Sequence, residues 1–321
     1  MTDVLAESVR DLLDQHGYEQ PVATRVLAGG NNRVILLVGE RYRLVAKSYF
    51  YSEHDVRDRL GAEFAFSHHL WSHGVRDIPE PLFCNTETRV GLYRAVPGRT
   101  LHPDDISMER VHSMVDFFLR INESREAALH LKPASEACFS WSAHVATVSS
   151  RVQRLASIEH PEAGRFARRL ASVWAGIDER LRALAFEDSE LRADERCLSP
   201  SDFGFHNALI VDDDLVWLDF EYAGWDDPAK LVCDAVCQPA LALPAKAWDV
   251  FLEMLDVRFG GVARRRAELL LPAYQIKWCC ILLNEFRPTA QARREFAGHK
   301  LSEQRLKEQL EKAESLLGRI L

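Results

Sequence analysis

The sequence predicts an α+β chain in two unequal parts, on three observations. Between Val22 and Lys47, three β-rich runs follow one another across two short turns. From about residue 103 onward, helical periodicity dominates. One island, 197–221, interrupts the helices with two short apolar runs around Asp212-Asp213-Asp214. The smaller part, 1–97, is then a β-rich unit with one long helix, and the larger, 98–321, is mainly helical.

The elements follow in order. Residues 3–16, within a leading segment 1–19, place Val4, Leu5, Val9, Leu12 and Leu13 on one side of a helix, with Gly17 after it. Val22 to Leu27, Val34 to Val38 and Tyr42 to Lys47 are the three strands of an antiparallel meander. Ser52 is placed to cap a long helix running to about His73, with Val56, Leu60, Ser67 and Leu70 at helical spacing and Gly74 as its stop. Residues 78–84 and 90–96 read as further strands, closed by Pro97-Gly98. Beyond them the periodicity predicts helices near 107–123, 140–157, 161–186, 228–237, 246–258, 265–286 and 301–320. The last carries Leu306, Leu310, Ala313 and Leu317 on one stripe, to dock on its own lobe or on a second subunit. Monomer and homodimer both stay open.

Composition excludes several function classes. The chain has 321 residues, with 40 Lys and Arg against 48 Asp and Glu, a formal net charge of -8. With 47% hydrophobic and 27% charged residues it has globular composition, not that of a disordered chain. An acidic chain without a basic block predicts no nucleic-acid partner. No apolar run reaches the roughly 18 residues that span a bilayer, and the first residues carry acids where a signal peptide is basic. The expectation is a cytoplasmic protein with no membrane partner. The seven cysteines, an odd number, do not suggest a disulfide framework. Cys233 and Cys237 share a helical face, but no nearby Cys/His pair completes a zinc site.

The island carries the chemistry. It reads Pro200-Ser201-Asp202-Phe203-Gly204-Phe205-His206-Asn207, a hairpin through Asp212-Asp213-Asp214, then Leu218-Asp219-Phe220-Glu221. Centring the turn on Asp213 pairs Asn207 with Asp219, with Asp202 on the loop just before. A carboxamide oxygen and carboxylates with spare coordination positions suit Mg²⁺, which prefers oxygen and shares its shell with water and phosphates.

Asp-x-x-x-x-Asn, a short hairpin, then Asp-Phe-Glu resembles the catalytic and metal loops of protein-kinase-like folds. The continuation Tyr222-Ala223-Gly224-Trp225-Asp226-Asp227-Pro228, with Asp234 beyond, is similar to the aminoglycoside phosphotransferase and choline kinase family. The resemblance implies a bilobal kinase-like fold: a nucleotide-binding N-lobe to residue 97, and a catalytic and acceptor-binding C-lobe from 98. It implies Asp202 as the catalytic aspartate, Asn207 and Asp219 as Mg²⁺ ligands, and Asp234 as a structural anchor. One departure stands out: the family's His two residues before the catalytic Asp is Pro200 here. His206, four residues after the Asp, is not expected to replace it.

The N-lobe supplies matching parts. Gly29, Gly30 and Asn31 lie between the first two strands, where the fold puts its nucleotide loop. Centring the second turn on Glu40 sets Lys47 opposite Arg33. Glu63 falls on the inward stripe of the long helix, where a carboxylate needs a partner, and Lys47 is the natural one. Leu92 to Gly98 resembles the hinge that would meet the base of ATP or GTP.

For the acceptor, Lys277 and Asn284 share a helix face, and Trp225 and Asp226 lie just past the metal loop. Lys277, Asn284 and Arg287 favour a sugar or polyol over a cationic aminoglycoside or amino alcohol. The expected activity is Mg²⁺-dependent transfer of a nucleotide γ-phosphoryl group to a hydroxyl of a small molecule. The alternatives are a catalytically silent nucleotide-binding scaffold and a kinase for a cationic acceptor. With no Ala-Pro-Glu element after Asp219, a protein acceptor is disfavoured.

Overall fold

The computed structural model describes residues 6–27, 32–53, 57–183, 189–287, 296 and 302–320. The chain opens with α1 (Glu7–Gln15), whose Val9, Leu12 and Leu13 are buried at helical spacing. They share a core with Ile35, Leu37, Leu44, Ala46, Val90 and Leu92 of an antiparallel sheet. Its strands are β1 (Ala23–Leu27), β2 (Arg33–Val38), β3 (Arg43–Ser48), β4 (Pro81–Asn85) and β5 (Val90–Arg94), in the order β1-β2-β3-β5-β4.

Between β3 and β4 runs α2 (Arg59–Ser72), which lies against β4 and β5. It starts later than Ser52 suggests: the Asp58 side chain accepts the Gly61 N–H, and Arg57 is not helical. Val56 lies outside the described residues. The helix stops as expected, with Gly74 at φ 88° and the Val75 amide donating back to the Leu70 carbonyl at 3.1 Å.

The β2–β3 register differs from the expectation by one residue. Val38 pairs with Arg43, and the Gly39 amide donates to the Tyr42 carbonyl, so four residues form the turn. An even-numbered turn has no central residue, and Lys47 therefore pairs with Val34, not Arg33.

The larger part holds α3 (Met108–Ile121), α4 (Trp141–Arg154), α5 (Pro161–Ala183), α6 (Pro228–Cys237), α7 (Ala247–Phe259), α8 (Gly261–Leu283) and α9 (Glu303–Leu317). Ser107, Ser140, Asp227 and Ser302 cap α3, α4, α6 and α9 through their side chains. Helix α8 starts earlier than expected, just after Gly260 at φ 85°. Helix α9 lies on α8 and α5, burying Ala313, Leu316 and Leu317. One hydrophobic core runs from Phe66 and Leu70 of α2 to Leu317. Every cysteine is free. Among the described residues, no helix is long and apolar enough to cross a membrane.

Short strands set the island into this core. β6 (Arg99–Thr100) pairs with β8 (Ala208–Val211), and β8 with β9 (Asp214–Trp217). β7 (Cys197–Ser199) pairs with β10 (Gly224–Asp226). Gly224 has φ 157°, and a Cβ there would meet the Lys132 carbonyl oxygen at 2.3 Å, so only glycine fits this crossing.

Candidate active site

Aromatic side chains anchor the island from below. Phe203 and Phe205 are buried around Trp217, with ring centroids 4.8 Å and 6.0 Å from it, Phe117 stacks on the same indole at 5.3 Å, and buried Phe220 packs on Phe66 at 5.3 Å. The polar residues between these anchors, Asp202, His206, Asn207 and Asp219, stay partly exposed. Asn122, fully buried, clamps the strand that leads in. Its carboxamide accepts the Leu198 N–H at 2.8 Å and donates to the Leu198 and Phe118 carbonyls at 3.0 and 2.9 Å. Ser201 and Asp219 both adopt positive φ, 68° and 65°. Two non-glycine residues in that region flank the site, where such backbone cost is commonly concentrated.

The hairpin turn has two residues, Asp212 and Asp213, both at positive φ, as a tight hairpin turn requires. Its centre therefore falls between them, not on Asp213. The Leu218 amide donates to the Asn207 carbonyl at 2.8 Å, so Asn207 faces Leu218 and Asp219 lies one step beyond. The Asn207 side chain still ties the loop together, its Nδ2 donating to the Asp202 carbonyl at 2.9 Å.

The N-terminal sheet meets this loop through Lys47. Its ammonium donates to Glu63 of α2 at 2.6 Å and also to Asp219. Lys47 and Glu63 are both buried. Burial works against the Lys47 charge, but Asp219 and Glu63 outweigh it and hold its pKa well above the ordinary value. Burial pushes the Glu63 carboxyl up to about 7 against the pull of Lys47. A second connection was not anticipated. Buried Glu221 accepts from the Asn32 side chain and lies 3.6 Å from the Arg59 guanidinium. Asn32 in turn accepts the Phe50 amide at 3.1 Å, and Arg59 donates to the Phe50 carbonyl at 3.0 Å. The end of the β1–β2 connection, the end of β3 and the start of α2 are thus tied to the residue two past Asp219. Gly29, Gly30 and Asn31 lie outside the described residues.

The Asn207–Asp219 pair fits a hard cation. Asn207 spends its Nδ2 on Asp202, which leaves its oxygen as the ligand atom, and Asp219 offers a carboxylate. Among the described residues no cluster of three His, Cys, Asp or Glu side chains is set to hold a metal. A carboxamide oxygen and one carboxylate would leave room for the waters and phosphate oxygens that Mg²⁺ keeps in its shell.

The expected acceptor residues separate. Asp226 is fully buried and receives Lys230 at 2.6 Å; Lys230 also lies 3.3 Å from Asp234. Lys277 donates to both Asp234 oxygens at 2.8 Å, and Trp278 adds a 2.9 Å bond. Two lysines and two aspartates therefore cancel inside the lobe. Asp226 faces Lys230 and Lys277 faces Asp234, each inside the lobe rather than on an acceptor surface, which corrects the expectation for both. The spacing of four through Asp226, Lys230 and Asp234 was the available signal. Trp225 is half-buried, with its indole N–H on the Ala128 carbonyl at 3.1 Å. Asn284 is half-buried just after α8, 3.4 Å from an Arg287 nitrogen. His206 also departs from expectation: its Nε2 lies 3.3 Å from Asp202 Oδ1.

The model of the phosphotransferase enzyme family (APH) matches residues 22–270. The chain belongs to this family. Solved structures share the fold at low identity. A spectinomycin phosphotransferase in complex with ADP and spectinomycin aligns at a TM-score of 0.63 with 12% identity, covering 98% of this chain and 99% of the other. The choline kinase LicA of Streptococcus pneumoniae gives 0.61 with 11% identity over 98% and 100%. A macrolide 2'-phosphotransferase of Brachybacterium faecium gives 0.58 with 18% identity over 91% and 97%. Among curated proteins, none gives a significant sequence match. The family's kinase-like fold accounts for the antiparallel N-terminal sheet and the larger helical C-terminal part.

Proposed function

We infer that the chain is a Mg²⁺-dependent kinase that moves the γ-phosphoryl group of ATP or GTP to a hydroxyl of a small molecule. The observation that carries this is the convergence on Lys47. It joins Glu63 on α2 to Asp219, and Asp219 follows the hairpin that begins at Asn207. In the reaction, Lys47 sets positive charge against the nucleotide phosphates. Asp202 holds the acceptor hydroxyl and takes its proton as the new O–P bond forms and the bond from the γ-phosphorus to the bridging oxygen breaks, releasing the nucleoside diphosphate. Mg²⁺ held by Asn207 and Asp219 would supply further charge to the phosphates. We place the lobe boundary at 97/98 and the nucleotide between the two parts, with Gly29, Gly30 and Asn31 kept as nucleotide-binding candidates.

The acceptor class stays broad. The sugar or polyol preference drew on Lys277, whose charge Asp234 now neutralises, so Trp225 and Asn284 remain as acceptor-facing candidates. The three neighbours act on spectinomycin, choline and macrolides, so the shared fold does not select among acceptors.

The test is nucleoside diphosphate release with Mg²⁺ and ATP or GTP, against pools of sugars, polyols, aminoglycosides and amino alcohols. Acceptor-dependent turnover that Asp202→Asn abolishes is the expected result. A wild-type protein that binds no nucleotide would overturn the reading.

A further inference from the structure

Asp202 is held by more than its own loop. Gln238, buried just past the end of α6, donates its side-chain amide to His206 Nδ1 at 2.8 Å. Its orientation is set from the other side, because the Ala240 N–H donates to the Gln238 Oε1 at 2.6 Å. The amide nitrogen must therefore face the imidazole, and Nδ1 must accept. That puts the ring proton on Nε2, which lies 3.3 Å from Asp202 Oδ1. Space for the ring comes from Gly204, where a Cβ would meet His206 Nδ1 at 2.8 Å. Phe205, the residue before it, is buried.

We propose that His206, hung from Gln238, is the positioning residue of Asp202, and that it supplies the side-chain donor that Pro200 lacks. This rests on the kinase reading above. One Asp202 oxygen faces the imidazole, and the other is left to the acceptor hydroxyl. Held from Gln238, the imidazole fixes the direction in which the carboxylate points. Gln238 lies at the end of α6, so the helical lobe itself fixes the direction of the base.

The experiment combines kinetics with the ¹⁵N spectrum of histidine-labelled protein. Wild type, His206→Ala, His206→Gln and Gln238→Ala are compared for Mg·ATP affinity and for diphosphate release on the acceptor pools, with thermal unfolding to establish that each variant is folded. His206→Ala is expected to lower turnover about 10–100-fold, as loss of an outer-shell partner does, with little change in the Mg·ATP Kd. His206→Gln, whose amide N–H can replace Nε2–H, is expected to recover part of it. At a pH where the wild-type ring is neutral, its proton is expected on Nε2, and Gln238→Ala is expected to lose that preference. Unchanged turnover in folded His206→Ala, or a neutral wild-type ring with its proton on Nδ1, would overturn the proposal. If no pool is turned over, the tautomer alone decides. Failure of the kinase reading appears separately, as absence of Mg·ATP binding in wild type.

Discussion

Replacing Lys230 with Met should cost far more than an ordinary lysine substitution. Lys230 is almost fully buried between Asp226 at 2.6 Å and Asp234 at 3.3 Å. With Lys277 on Asp234, the cluster holds two positive and two negative charges and no net charge. Removing Lys230 leaves one negative charge in a dry interior, and breaking a buried pair in this way costs about 3–5 kcal/mol. Lys230→Met is expected to lower the free energy of urea unfolding by that amount. The double variant Lys230→Met/Asp226→Asn restores neutrality and leaves Lys277–Asp234 intact. It should lose less than the two single changes added together, by about 0.5–3 kcal/mol. A loss below about 1 kcal/mol in the single variant, the size of an exposed pair, would refute the closed network. So would strict additivity in the cycle. If Lys277 met the acceptor instead, Lys277→Met would raise KM and leave stability untouched.

Other outcomes follow from the same geometry. Burial opposes charge on His144, but Asp227 and Cys138 outweigh it and raise the imidazole from 6.5 to about 9. A raised histidine stabilises the fold fully below the unfolded value and loses that contribution as pH climbs through the folded one. Unfolding free energy should therefore fall by roughly 3 kcal/mol between those two pH values, and His144→Gln should flatten the fall. A wild-type profile as flat as the variant's would exclude a charged His144. Asn122→Ala strips the partners from the buried Leu198 amide and carbonyl and should cost about 2–4 kcal/mol in thermal or urea unfolding; an effect under about 0.5 kcal/mol, as at an ordinary surface site, would show that the clamp does not matter. Lys47→Met should reduce diphosphate release on the order of 100-fold or more, with the fold retained, since it removes the charge set against the phosphates. A rate near wild type would count against that role.

How far the sequence led differs from element to element. Glu63 was legible because a carboxylate on an inward stripe requires a cation, and the nearest strand offered Lys47. Both register shifts came from one cause: counting from a central residue assumes an odd turn, and these turns hold four and two residues. The start of α2 was missed because Ser52 and Asp58 are both good caps, and only packing against β4 and β5 selects between them. Asp226 and Lys277 were expected at the acceptor because a polar residue past the metal loop or within an apolar helix can face a ligand as well as a buried counter-ion; burial is what separates the two. Glu221, Asn32 and Arg59 are far apart in the chain, and nothing local signals that they meet. Gln238 sits 32 residues from His206, so that contact too belongs to the tertiary fold.

The phenylalanine anchors beneath the loop also govern where this molecule can breathe. Phe203, Phe205 and Phe220 belong to the same core as α3, α6 and α8. The segment cannot peel away without opening that core, so its amides should exchange with solvent hydrogen only at the free energy of whole-lobe unfolding. The N-terminal sheet meets the loop differently, through polar bonds from Asn32 and Lys47. Helix α2 shares the C-terminal core through Phe66 and Leu70. On the kinase reading proposed above, opening for nucleotide exchange therefore falls to the sheet, over a loop and a helix that stay fixed.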